Sequence, residues 1–108
     1  MAKLTPELIE VVAERFKALS EPARLHILNV LREGEQTVSE VMDATGLSQA
    51  NASKHLQVLH SLGFVLRRKE GQRVFYALAG NDIFRLCDIM CGRLERESAA
   101  RRKLMSRA

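Results

Sequence analysis

No stretch of the chain approaches the roughly 18 consecutive apolar residues that a membrane-spanning helix needs. The start, Met1-Ala2-Lys3-Leu4-Thr5-Pro6, lacks the apolar core of a secretory signal, so the expected location is cytoplasmic, with no membrane partner. Only two cysteines are present, four residues apart. That excludes a disulfide framework and leaves two buried small side chains or a reactive or metal-binding pair. No phosphate-binding loop, nucleophile elbow or zinc-protease motif occurs, and the chain reads as a non-enzyme. Internal repeats, low-complexity tracts and linkers are missing as well, which makes a single domain over residues 1–108 the expected organisation.

What the chain does have is positive charge and helical periodicity. Lys and Arg number 17 against 13 Asp and Glu, a net charge of +4 that suits a polyanionic partner without requiring one. A lone domain of 108 residues buries limited surface, and dimerisation would help it.

Thr5-Pro6-Glu7 combines a cap, a proline at the first helical position and an early acid. Leu8, Ile9, Val12, Phe16 and Leu19 then recur at helical spacing, which predicts a first helix over about 6–19. Ser20-Glu21-Pro22 repeats the start signal for an apolar second helix that Gly34 should end as a left-handed cap. His26, within that helix, is expected to be packed, His55 to hydrogen-bond locally, and His60 to lie at the surface. Thr37-Val38-Ser39-Glu40 fits a capping box, in which hydroxyl and carboxylate each satisfy an orphan backbone amide. A short third helix, the turn Thr45-Gly46-Leu47 and a longer helix over about 48–62 follow: a helix-turn-helix pattern. Val65 to Leu78 carries aromatic and β-branched residues around Gly71 and reads as a hairpin. Asn81 is a candidate cap for a last helix, and from Glu95 to Lys103 charge dominates and fraying is expected. The fold class is thus mainly α with a β-hairpin wing, a winged helix-turn-helix in the order α-α-α-α-β-β-α.

Placing residues of the fourth helix at about 100° intervals turns Ala52, His55, Leu56, Leu59 and Leu62 to one side. Ser48, Gln49, Ala50, Asn51, Ser53, Lys54 and Gln57 become candidates for contacting a DNA major groove, Asn51 lying nearer one flank. Gln49 suits a bidentate contact to adenine, Lys54 suits guanine or phosphate, and Ala50 suits a thymine methyl. A solvated polar face is the plain alternative. The hairpin adds Arg67, Arg68, Lys69 and Arg73, candidates for phosphate or a narrow minor groove. Strand alternation separates Arg67 and Lys69 from Arg68, so not all of them can face DNA together, and some can serve to protect a sheet edge.

Leu19-Ser20-Glu21-Pro22-Ala23-Arg24-Leu25-His26-Ile27-Leu28, Leu47 to Leu56 and Glu70-Gly71-Gln72-Arg73-Val74-Phe75-Tyr76 resemble the arsenical-resistance-repressor (ArsR/SmtB) family over roughly Leu8 to Leu94. The resemblance implies a homodimer built from the first and last helices, which binds a near-palindromic operator in double-stranded DNA and releases it on sensing a signal. Two half-sites about one helical turn apart, or a multiple of it, then follow from the symmetry. Family members with a thiol-rich third-helix site carry cysteines there, whereas Val38 to Asp43 has none; members with a last-helix zinc site use histidine, absent from Asn81 to Leu104. The second helix also lacks the cysteine that some relatives use for reactive sulfur.

Cys87 and Cys91 therefore remain. At i, i+4 their β-carbons stand about 5–6 Å apart, too far for a disulfide within an undistorted helix and near enough to share a soft metal or metalloid ion. Three readings stay open: packing in the stripe of Ile83, Met90 and Leu94, a soft-ion ligand pair, or thiol oxidation and persulfide chemistry. A winged-helix protein-interaction module without inducer sensing is the alternative to the repressor.

Overall fold

The structure, a computed structural model, describes residues 3–106. Five helices and a small sheet form it, each started by chemistry visible in the chain. Helix α1 spans Pro6–Leu19; the Thr5 hydroxyl accepts from the Leu8 amide at 3.1 Å, and proline occupies its first turn. Ser20 does not open the next helix as expected. Its hydroxyl donates to the Lys17 carbonyl at 2.7 Å and closes α1, while Glu21 precedes α2, Pro22–Val30. A 3₁₀ turn, Leu31–Glu33, keeps Leu31 in the core. Gly34 follows with φ +126° and ψ −173°, a glycine conformation outside the left-handed helical region anticipated for it.

Two residues, Gln36–Thr37, form β1, an edge strand too short for any periodicity to announce. Thr37 also caps α3, Val38–Thr45. Its hydroxyl accepts from the Glu40 amide at 3.2 Å, and its own amide donates to Glu40 Oε1 at 2.9 Å, the reciprocal pair expected of a capping box. Gly46, at φ +76°, ends α3 in the left-handed conformation, and its amide donates to the Met42 carbonyl. Helix α4 spans Gln49–Ser61 behind the cap Ser48.

Strands β2, Val65–Glu70, and β3, Arg73–Leu78, form an antiparallel hairpin whose two-residue turn begins with Gly71 at φ +61°. Beyond the expected hairpin, β1 pairs with β3, giving a three-stranded antiparallel sheet in the order β1-β3-β2. Helix α5 spans Asp82–Ser106. From Glu95 onward, where the charge pattern led to an expectation of fraying, α5 continues to Ser106. That segment is rich in Glu, Arg, Ala, Lys and Leu, all strong helix formers, and Arg93 pairs with Glu97 one turn on at 3.3 Å.

The core gathers around α2. Ile27, Leu28 and Leu31 meet Val41 of α3, Ala52, Leu56 and Leu59 of α4, Val65 and Tyr76 at the base of the hairpin, and Ile83 and Phe84 of α5. Helices α1 and α5 contribute little more: only Ala18 of α1 and the first turn of α5 are buried. Phe16 stays 51% exposed and Ile89 69%, so both helices carry apolar stripes that a single chain leaves uncovered.

Candidate nucleic-acid interface

The capped start of α4 governs how its side chains are presented. Ser48 accepts from the Asn51 amide at 3.2 Å, which leaves its hydroxyl proton and one lone pair for another partner. Ala52, Leu56 and Leu59 have no exposed surface and fix the rotation of the helix. With those three inward, Gln49, Ala50, Asn51, Lys54 and Gln57 are exposed and Ser53 is half-buried. This outward face is small and polar, with one cation, as groove entry requires.

His55 sits at the edge of that face. Arg24 of α2 donates from Nε to His55 Nδ1 at 3.2 Å, and from Nη1 to the Ala18 carbonyl of α1 at 3.1 Å. The partner of His55 is therefore another helix rather than a local group. Partial burial, and then the Arg24 charge, hold the His55 pKa below its ordinary 6.5. Its Nδ1 must be unprotonated to accept this bond. His26 is exposed, against expectation, because the inward side of α2 is filled by Ile27 and Leu28.

In the hairpin the register sorts the cations. Residues directly opposite one another share a face, and Arg67 stands opposite Tyr76 and Lys69 opposite Val74, on the face that Val65 buries. Both are exposed and form no ion pair among the described residues. Arg68 belongs to the other face and is held by two carboxylates. It donates twice to Glu35, at 2.6 and 3.1 Å, and once to Glu70, at 2.6 Å. Those bonds lower the Glu35 pKa and raise that of Arg68. Its guanidinium also lies 4.5 Å from the Phe75 ring centroid, with that of Arg73 at 5.2 Å. The free charge expected at Arg68 is thus already matched by two carboxylates, a reduction no local pattern announces because Glu35 lies 33 residues away. Gln72 and Arg73 at the turn line a groove with Val38 and Ser39 at the start of α3, so the hairpin leans on the helix-turn-helix.

Cys87 and Cys91 lie apart from this surface, along a groove between α2 and α5 that Asn29, Arg32 and Asp88 also line. Cys87 is half-buried and Cys91 exposed, so one chain does not pack both as interior hydrophobes. Arg32 lies over the Phe84 ring at 4.2 Å beside them. Among the described residues, no three His, Cys, Asp or Glu side chains converge to hold a metal ion.

Comparison with known proteins agrees with this geometry. The family model "Bacterial regulatory protein, arsR family" matches residues 21–66. The HTH-type transcriptional regulator Rv0324 of Mycobacterium tuberculosis is 44% identical over 79 residues, 73% of this chain and 35% of that protein. The chain thus spans about a third of the length of that relative. The crystal structure of M. tuberculosis Rv0081 superposes with a TM-score of 0.78 at 35% identity, over 90% of this chain and 98% of that one. A solution structure from Mycobacterium bovis, described as the homodimeric winged helix-turn-helix DNA-binding domain of Mb0332, gives 0.72 at 38% identity, over 88% and 91%.

Proposed function

We propose that this chain, which belongs to the arsR family of bacterial regulatory proteins, is a transcriptional repressor that binds duplex DNA as a homodimer. The observation that carries the reading is the exposed polar face of α4, held outward by three fully buried residues, with unpaired cations on the adjoining wing. Gln49, Ala50, Asn51, Ser53 and Lys54 read base edges, with Ser48 and Gln57 at the margins. Arg67 and Lys69, which share one face of the hairpin, meet phosphates, which fix register without reading sequence. The family is one of regulators, and the chain is not an enzyme. No described helix is long and apolar enough to cross a membrane.

The uncovered stripes of α1 and α5 support dimerisation through those two helices. Leu8, Ile9 and Phe16 on one and Leu86, Ile89, Met90 and Leu94 on the other are 40–69% exposed in a single chain. Two copies related by a two-fold axis would cover them and set two reading helices against one palindrome.

The inducer, in this reading, is sensed at Cys87 and Cys91 and is a soft metal, a metalloid or reactive sulfur. Two thiols on successive turns suit a soft ion of low coordination number, and a closed four-ligand site would need donors from the second copy. Such a ligand acts only if it favours the free form of the protein over the DNA-bound form.

The test is binding of the reduced protein to the duplex immediately upstream of its own gene, with and without soft metals, arsenite and a persulfide donor. Specific, salt-sensitive binding released by one of these in the parent and not in Cys87→Ser supports both parts. Release that persists in both Cys87→Ser and Cys91→Ser rejects the cysteine site. Absence of specific binding rejects the repressor and favours a protein-interaction module.

A further inference from the structure

On the wing face turned away from Val65 and Tyr76, the register brings Arg68, Glu70, Arg73 and Phe75 together, and Glu35 joins them from just before β1. Exposed ion pairs ordinarily contribute little. This one differs in form: Arg68 grips Glu35 with two bonds, Glu70 with a third, and rests on an aromatic ring. It also spans 33 residues, tying the hairpin to the segment that leads into α3. The backbone tie along this route is short, since β1 pairs through only two residues. A two-stranded hairpin has marginal stability of its own.

We propose that Glu35 and Arg68 form a positioning clamp that sets the wing against α3 and α4, leaving the wing's DNA contacts to Arg67 and Lys69 on the other face. The inference rests on the DNA-binding reading above. Two carboxylates already face the single Arg68 guanidinium, and its Nε, Nη1 and Nη2 each donate to one of them. A phosphate approaching Arg68 meets a charge that Glu35 and Glu70 already offset, so the contact costs competition with two carboxylates even though two of its five N–H groups stay unused. Arg67 and Lys69 bear no such cost. Arg68 is accordingly a positioning residue, and Glu35, an acid on a DNA-binding module, assists binding through it.

That last consequence makes the proposal testable in sign. Glu35→Gln removes a negative charge, which by electrostatics alone tightens binding to a polyanion. The clamp requires the opposite: affinity for the upstream duplex falls about fivefold, with the salt dependence unchanged. Arg67→Ala and Lys69→Ala each reduce the salt slope by about one. Amide hydrogen exchange of the DNA-free protein supplies a second readout. In Glu35→Gln and Arg68→Gln, amides of β2 and β3 exchange roughly fivefold faster while those of α2 and α4 are unchanged. Equal or tighter binding by Glu35→Gln, unchanged wing exchange, or a salt slope that drops by about one in Arg68→Gln overturns the clamp. If the wild-type protein binds no duplex, the DNA reading fails, and the exchange measurement alone decides whether the clamp exists.

Discussion

Arg24 touches three helices through one guanidinium: it stands on α2, donates to the last turn of α1 and donates to His55 on α4. The second bond requires His55 neutral at Nδ1, and the lowered pKa of that imidazole sets its pH dependence. The folded protein binds the proton less readily than the unfolded chain, whose histidine titrates near 6.5. The stabilisation is therefore complete above that value and declines as pH falls below it toward the folded pKa. Melting temperatures at pH 7.5 and 5.5 should show wild type losing more than His55→Gln over this interval. At the reading surface, Gln49→Ala and Lys54→Ala should each weaken specific binding by about 1–3 kcal/mol, with a smaller loss on random duplex. Competition titrations against both duplexes measure the difference, and equal losses on both would remove these residues from base recognition.

Among the elements, α3 and α4 were legible because their starts are local. Thr37 and Glu40 lie three residues apart, as do Ser48 and the amide it accepts from, so each cap is complete within a single turn. Ser48→Ala should cost about 1 kcal/mol of stability in denaturant unfolding, without altering the fold. Leu56→Ala, which empties a fully buried site between α4 and α2, should cost about 2–5 kcal/mol. Less legible were the elements that depend on distant partners. Strand β1 exists only because β3 runs beside it, pairing Gln36 with Tyr76 and Thr37 with Phe75. Arg68 reads from sequence as one more basic wing residue; its neutralisation needs Glu35, which the sheet brings alongside. Ser20 shows that even a local signal can be claimed by the helix before it rather than the one after.

At the scale of the molecule, the core and the apolar stripes occupy different places. The core is built around α2 and seals the helix-turn-helix, while α1 and most of α5 extend an apolar surface outward, in a molecule 62 Å long and 21 Å thick. On the homodimer reading, Ile89→Glu places a charge in the shared face and should yield a folded monomer by light scattering. Its operator affinity should fall about a hundredfold or more, since each half-site is then bound without the other. A variant that remains dimeric and binds normally would assign the stripe to some other contact.

Helix periods, the two caps, the glycine turn and the likeness to a regulator family were determined by the sequence alone, because each rests on neighbours within a few residues or on a contiguous motif. Which wing cations remain free, which helix His55 answers to, and how far the cysteines are covered were decided only by the tertiary structure. Charges and hydrogen-bond partners act through space, and Glu35 with Arg68, or Arg24 with His55, become neighbours only after the core of Ile27, Leu56 and Val65 has closed.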